Sequence, residues 1–134
     1  DYTFSEMTTD FGEQVTTIVK AVTQPESTPE HKLSWLEIKI AYAKQIKKGP
    51  IEAAMVAAAD KTHNFRCMIE DYFEDHHAFI RDFGPHSDKR LEAYQVVANA
   101  INNRLSDGIV HEFNKTFENY KQFIFDVKES QQKI

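Results

Sequence analysis

Asp60, Lys61, His63, Asn64, Arg66 and Cys67 crowd six hydrogen-bonding or titratable side chains into eight positions, directly after the apolar run Met55-Val56-Ala57-Ala58-Ala59. On a helical period Asp60 shares a stripe with His63, Asn64 and Cys67, and the small apolar residues before it suit a helix packed tightly on all sides. The expectation is a carboxylate at the wall of a core. An ionised carboxylate placed there needs a cation or several hydrogen bonds, and a metal ion is one way to supply them. The plainer alternative is a capping or salt-bridged Asp60 paired with Lys61 or Arg66. His63 reads more simply as a structural residue than as a catalytic one.

The elements that must position these side chains are helices. With four glycines, four prolines and Asp107-Gly108 as the one hairpin-type turn signal, little in the chain suggests a sheet. Thr3 or Ser5 caps a short first helix, Phe11-Gly12 bends the chain, and Val15, Ile18, Val19 and Val22 mark a core-facing stripe. Residues 24–30, with Pro25 and Pro29, form a loop. A third helix over about 34–48 ends at Gly49, and Pro50 opens the helix that carries Asp60 and is expected to run on to about Phe79. Gly84-Pro85-His86-Ser87 breaks the pattern before a helix over 88–105, and a last helix follows Asp107-Gly108 and ends in a polar tail over 128–134. Trp35, Ile38 and Tyr42 are core candidates, and the pairs Phe79/Phe83 and Phe113/Phe117, with Tyr120, are suited to pack helix on helix. The fold class is all-α, with about six helices in a single domain over 1–134.

The size, 134 residues, fits one core and is too short for a catalytic domain plus a second large module. A net charge of −5 without a basic stripe argues against nucleic acid and anionic membrane surfaces as partners, while leaving room for a small anion held by a few local cations. Cys67, the only cysteine, cannot form an internal disulfide, and no apolar run approaches the length of a membrane span. The expected setting is reducing and cytoplasmic.

Three blocks taken together resemble a family: Phe11-Gly12-Glu13-Gln14-Val15 with Val19, Val22 and Thr23; then Trp35, Lys39 and Tyr42; then Ala59-Asp60-Lys61-Thr62-His63-Asn64-Phe65-Arg66. In order and spacing they are similar to the later two-thirds of an HD-domain metal-dependent phosphohydrolase. Within that superfamily the resemblance is to the hydrolase domain of the RelA/SpoT group and its small single-domain relatives, which remove pyrophosphate from guanosine tetra- and pentaphosphate. It covers residues 1–76 well and the C-terminal helices loosely. The Asp-Lys-x-His-Asn-x-Arg block is its specific part.

The resemblance implies a compact HD-like helical fold, a small-molecule nucleotide substrate and a divalent ion, manganese, held by a histidine, a His-Asp pair and a second aspartate. Asp60 matches that last ligand. Asn64 matches an asparagine lining the nucleotide pocket, Lys61 a basic position, and Cys67 a site where a small residue faces the nucleotide. Lys39 is expected to point toward the phosphates. His63 matches a buried hydrogen-bonding histidine, and Arg66 resembles the arginine beside it. Thr62 stands where a bulky aliphatic residue is usual.

The first histidine and the His-Asp pair precede the Phe-Gly-Glu segment in that family, and this chain begins after them. Asp75-His76-His77 lie downstream of Asp60 and cannot take their place. The expectation is therefore a longer parent that carries the activity, with the 134-residue chain binding manganese poorly, hydrolysing nothing, and self-associating through apolar surface left uncovered beside Asp60. Two other classes stay open: a helical interaction module without chemistry, and a carboxylate-bridged di-iron bundle suggested by Glu74 and His77 at Glu-x-x-His spacing with Glu70 one turn earlier. The second of these needs another such pair, which the sequence lacks. Without a metal, Glu70, Asp71, Glu74 and Asp75 are a solvated acidic face.

Overall fold

A computed structural model describes residues 1–132, apart from the side chains of Phe83 and Gln132. The last two residues of the expected polar tail, and the Phe83 half of the Phe79/Phe83 pair, lie outside the described part. The described residues form seven α-helices and no strand: α1 (Phe4–Phe11), α2 (Glu13–Val22), α3 (Trp35–Lys48), α4 (Ile51–Glu74), α5 (His76–Phe83), α6 (Ser87–Arg104) and α7 (Asp107–Gln132), with a short 3-10 turn (Gly84–His86) before α6.

Local chemistry sets these boundaries. Thr3 closes a capping box with Glu6 at the start of α1, and Gly12 turns the chain into α2 at a φ of 90° that a side chain would disfavour. Ser34 closes a second capping box with Glu37, which fixes the first turn of α3. At the other end of α3, Gly49 is required by proximity, since a Cβ there would stand 2.9 Å from the Ala21 Cβ. The Arg104 guanidinium donates to the carbonyls of Ile46, Lys47 and Gly49, satisfying backbone acceptors that a helix end leaves open. Pro50 is the residue before the first turn of α4.

The helix carrying Asp60 is shorter than its pattern suggests. It stops at Glu74, because Asp75 leaves the helical region (φ −147°, ψ 87°) and its carboxylate accepts from the Ala78 amide at 3.0 Å, starting a new helix. Acidic side chains are unfavourable at a helix C-terminus and favourable at an N-terminus, so the acidic stretch Glu70 to Asp75 breaks the helix where it also caps the next one. Glu74 and His77 therefore sit on two different helices, and the di-iron spacing loses its common face.

Helix directions follow from the contacts between ends. Trp35 meets Tyr94 in the first half of α6 while Arg104 closes the end of α3, so α3 and α6 run parallel. Phe65 meets Phe113 and Phe117, and Tyr72 meets Phe123, so α4 and α7 are parallel too; they oppose the first pair, since Asp88 at the start of α6 pairs with Lys128 near the end of α7 while Asn102 near the end of α6 bonds Asn114 near the start of α7. The centre of the resulting four-helix arrangement is the Phe65 ring, stacked on Tyr120 at 4.8 Å and Phe117 at 5.2 Å and edge-on to Tyr94 at 5.1 Å. The buried alanines 53, 54, 57 and 58 let neighbouring helices approach the first half of α4 closely.

Removing the Phe65 ring should cost about 3–5 kcal/mol, because it leaves a cavity lined by the rings of Tyr94, Phe113, Phe117 and Tyr120. The check is a urea melt followed by circular dichroism on Phe65→Ala beside Phe73→Ala. The Phe73 side chain is exposed, and its loss should change stability by no more than about 0.5 kcal/mol.

Candidate anion-binding site

Rotation of α4 is fixed by Phe65, and this decides where each neighbouring side chain goes. Asp60 does not reach the wall of the core: its side chain is 53 % exposed, at the edge between the buried and solvent faces. Lys61, one residue on, is buried, with its ammonium 3.2 Å from the Asp60 carboxylate and 5.1 Å from the centre of the Tyr42 ring. The carboxylate expected at the core wall is thus at the edge and the neighbouring base is buried, since the apolar stem of lysine can pass over the core while its ammonium reaches out to Asp60. Asn64, one turn on, donates to the same Asp60 oxygen at 3.4 Å. Thr62 is buried with its hydroxyl donating to the Ala58 carbonyl at 2.7 Å, so a polar residue fits where a bulky aliphatic one was expected.

Two other residues of the block lie elsewhere. His63, expected to be buried, is exposed, because its position on α4 faces away from the bundle; its ring lies 3.4 Å from the Cys67 Sγ. Arg66 turns to the opposite flank and pairs with Glu112 of α7. It is a clamp between helices and has no contact with Asp60.

Lys39 joins Asp60 and Lys61 from α3. Its side chain is almost wholly buried, donating to Gln24 Oε1 at 2.9 Å, with the ammonium 5.3 Å from the Trp35 ring centre and 6.0 Å from that of Tyr94. Burial is the main cause that brings this amine down to about 8; the charges of Lys61 and Arg90 push the same way, and Asp60 opposes them. Tyr42, buried and facing the negative charge of Asp60, is pushed up to about 12. Arg90 of α6 lies over Trp35 at 5.0 Å and hydrogen-bonds Tyr94, whose hydroxyl is also raised, chiefly by burial.

Lys61 thus pairs with Asp60, and Lys39 feels the charges of Lys61, Asp60 and Arg90, in a chain whose net charge is −5. Like charges held together beside buried rings oppose folding, which makes this cluster the candidate site. Arg90 and Tyr94 were not singled out from the sequence, and Trp35 only as a core candidate. Their signal was the pair of cation and aromatic residues four apart, Trp35 with Lys39 and Arg90 with Tyr94, on helices that turn out to be parallel neighbours.

Manganese does not fit these residues as a set. Among the described residues no group of three His, Cys, Asp or Glu side chains is placed to hold a metal, and the one carboxylate in the cluster is already engaged by Lys61 and Asn64. Phosphate oxygens, by contrast, suit two ammonium groups and a guanidinium. Comparison with known protein families finds no family that matches the chain, and no curated protein matches it either.

Lys39 yields a prediction with a defined sign. Between about pH 8 and its ordinary value of 10.5 the unfolded chain keeps a proton there that the folded chain has lost, so this group makes stability rise with pH through that window. Below the window both states are charged and the burial penalty is fully present. Lys39→Met should therefore raise the melting temperature at pH 7, with the gain shrinking toward pH 10.5. A lower melting temperature at pH 7 would show that the Gln24 hydrogen bond and the ring contacts outweigh desolvation.

Proposed function

We propose that this chain is the phosphate-recognising part of an HD-type phosphohydrolase acting on guanosine tetraphosphate or a closely related nucleotide. The observation that carries the reading is the buried pair Lys39 and Lys61, brought from two helices to one carboxylate, Asp60, with Asn64 beside it. The block that resembles the nucleotide-side motif of that family and the cation cluster are the same place in the fold. Lys39 and Lys61 would neutralise phosphate oxygens, Arg90 would add a bidentate donor, and Asn64 would hold the Asp60 side of the pocket. Hydrolysis in that family uses manganese, which would need ligands beyond those gathered around Asp60. Recognition is the task these residues can perform by themselves.

A non-catalytic interaction module is the second reading, favoured by Ile51, Met55 and Val56, which lie exposed along the first half of α4. Ligand binding separates the two.

Calorimetric titration with guanosine tetraphosphate at pH 7, without metal, is the test. The chain should bind it, Lys61→Met should weaken binding by about tenfold or more, and Asp60→Asn should strengthen it by removing a like charge from the phosphate site. No measurable binding, or an affinity that Lys61→Met leaves unchanged, would remove the nucleotide reading and leave the interaction module. Addition of manganese should produce no pyrophosphate release from this chain. Robust release would mean that other side chains complete a metal centre with Asp60.

A further inference from the structure

Four side chains of α4 stand exposed at a spacing of four, three and four residues: Glu52, Val56, Ala59 and His63. That spacing is the seam along which one helix seats against another in a coiled coil. Beside it, on the side of α7, Met55 is 41 % exposed at the rim of an open groove of about 380 Å³ whose walls include Ala58, Ala59, Thr62 and Ile109. One surface thus carries both a protruding apolar side chain and a recess lined by small and apolar ones. The two ends of the seam are polar and unlike. Glu52, at the N-terminal end, makes no ion pair and no side-chain hydrogen bond among the described residues. His63, at the other end, carries an imidazole that can donate an N–H. Beyond His63 the next seam position is Arg66, which is already held by Glu112 of α7.

We propose that this face takes a second copy of the chain, with the two α4 helices packed antiparallel about a twofold axis between Val56 and Ala59. The charges decide the direction. A parallel pair would set Glu52 on Glu52 and His63 on His63, whereas an antiparallel pair sets each Glu52 carboxylate against the His63 imidazole of the other copy, twice by symmetry. In that register Val56 meets Ala59 of the other copy, whose small side chain lets the helices come close, and each Met55 enters the groove of the other beside Thr62. Two chains of net charge −5 repel one another, so association needs a local match of this kind. One helix pair with its groove contact is at the small end of specific interfaces, which sets a dissociation constant on the order of 10 μM. The dimer does not rest on the nucleotide reading, since Lys39 and Lys61 are buried and lie off the seam.

Sedimentation velocity on the chain between about 1 and about 100 μM measures the association directly, and the unchanged chain should pass from monomer to dimer over that range. His63→Glu sets two carboxylates together at each end of the seam and should weaken the dimer by about tenfold or more, and Glu52→Lys, which removes the acceptor, by about threefold or more. The double variant Glu52→Lys with His63→Glu restores an opposite pair in reversed order and should return the affinity to within about threefold of the unchanged chain. Both positions are exposed, so circular dichroism melts of all three variants should match that chain. A monomer at every concentration would overturn the proposal and leave the face to a different partner. A dimer that neither single variant weakens would place the interface elsewhere on the surface. A double variant no tighter than His63→Glu alone would overturn the antiparallel register, because only there do the two changed residues face one another.

Discussion

The Phe65 ring, held between Tyr94, Phe117 and Tyr120, is the constraint from which the other side-chain positions follow. A helix can rotate about its axis at little expense until one large side chain is locked, and an aromatic ring stacked on two rings and edge-on to a third is locked by both shape and quadrupole. Once Phe65 points inward, Lys61 one turn earlier must share its face, Asp60 must stand at the edge, and His63 and Arg66 must turn away from both. The chemistry-bearing block is thus sorted by packing: some of its polar residues face Asp60 and others the solvent or α7.

The cation cluster works against that packing. Lys39 and Lys61 bring their apolar stems into the core, and rings of Trp35, Tyr42 and Tyr94 accept the ammonium groups on their faces, which recovers part of the lost hydration. The recovery is incomplete at Lys39, whose proton is held less firmly than in water. An arriving anion would supply the missing counter-charge at this point, so the same desolvation that weakens the fold strengthens an electrostatic contact made inside it.

The fold was legible in the sequence where turns and caps are local: Ser34 with Glu37, Gly49 before Pro50, and Gly12 between two short helices each set a boundary within its own few residues. The break at Asp75 was hidden because the apolar period continues through it, and only the capping preference of one aspartate stops the helix. Asp60, Lys61, Asn64 and Lys39 were identifiable as site candidates from their types and spacing, and they come together. Their burial was not, since it depends on where rings far along the chain meet Phe65. Arg90 and Tyr94 belong to a helix of low sequence contrast, and the parallel course of α3 and α6 that brings them to Lys39 is a property of the whole bundle.

The charge distribution also bears on which anions the proposed site would accept. A polymer such as nucleic acid would meet the whole surface, where a net charge of −5 opposes its approach within the screening length. A small phosphate compound meets only the local field, where Lys39, Lys61 and Arg90 outweigh Asp60 and where low-dielectric rings limit screening. In the proposed site, selectivity between those classes would follow from where the charges lie more than from how many there are.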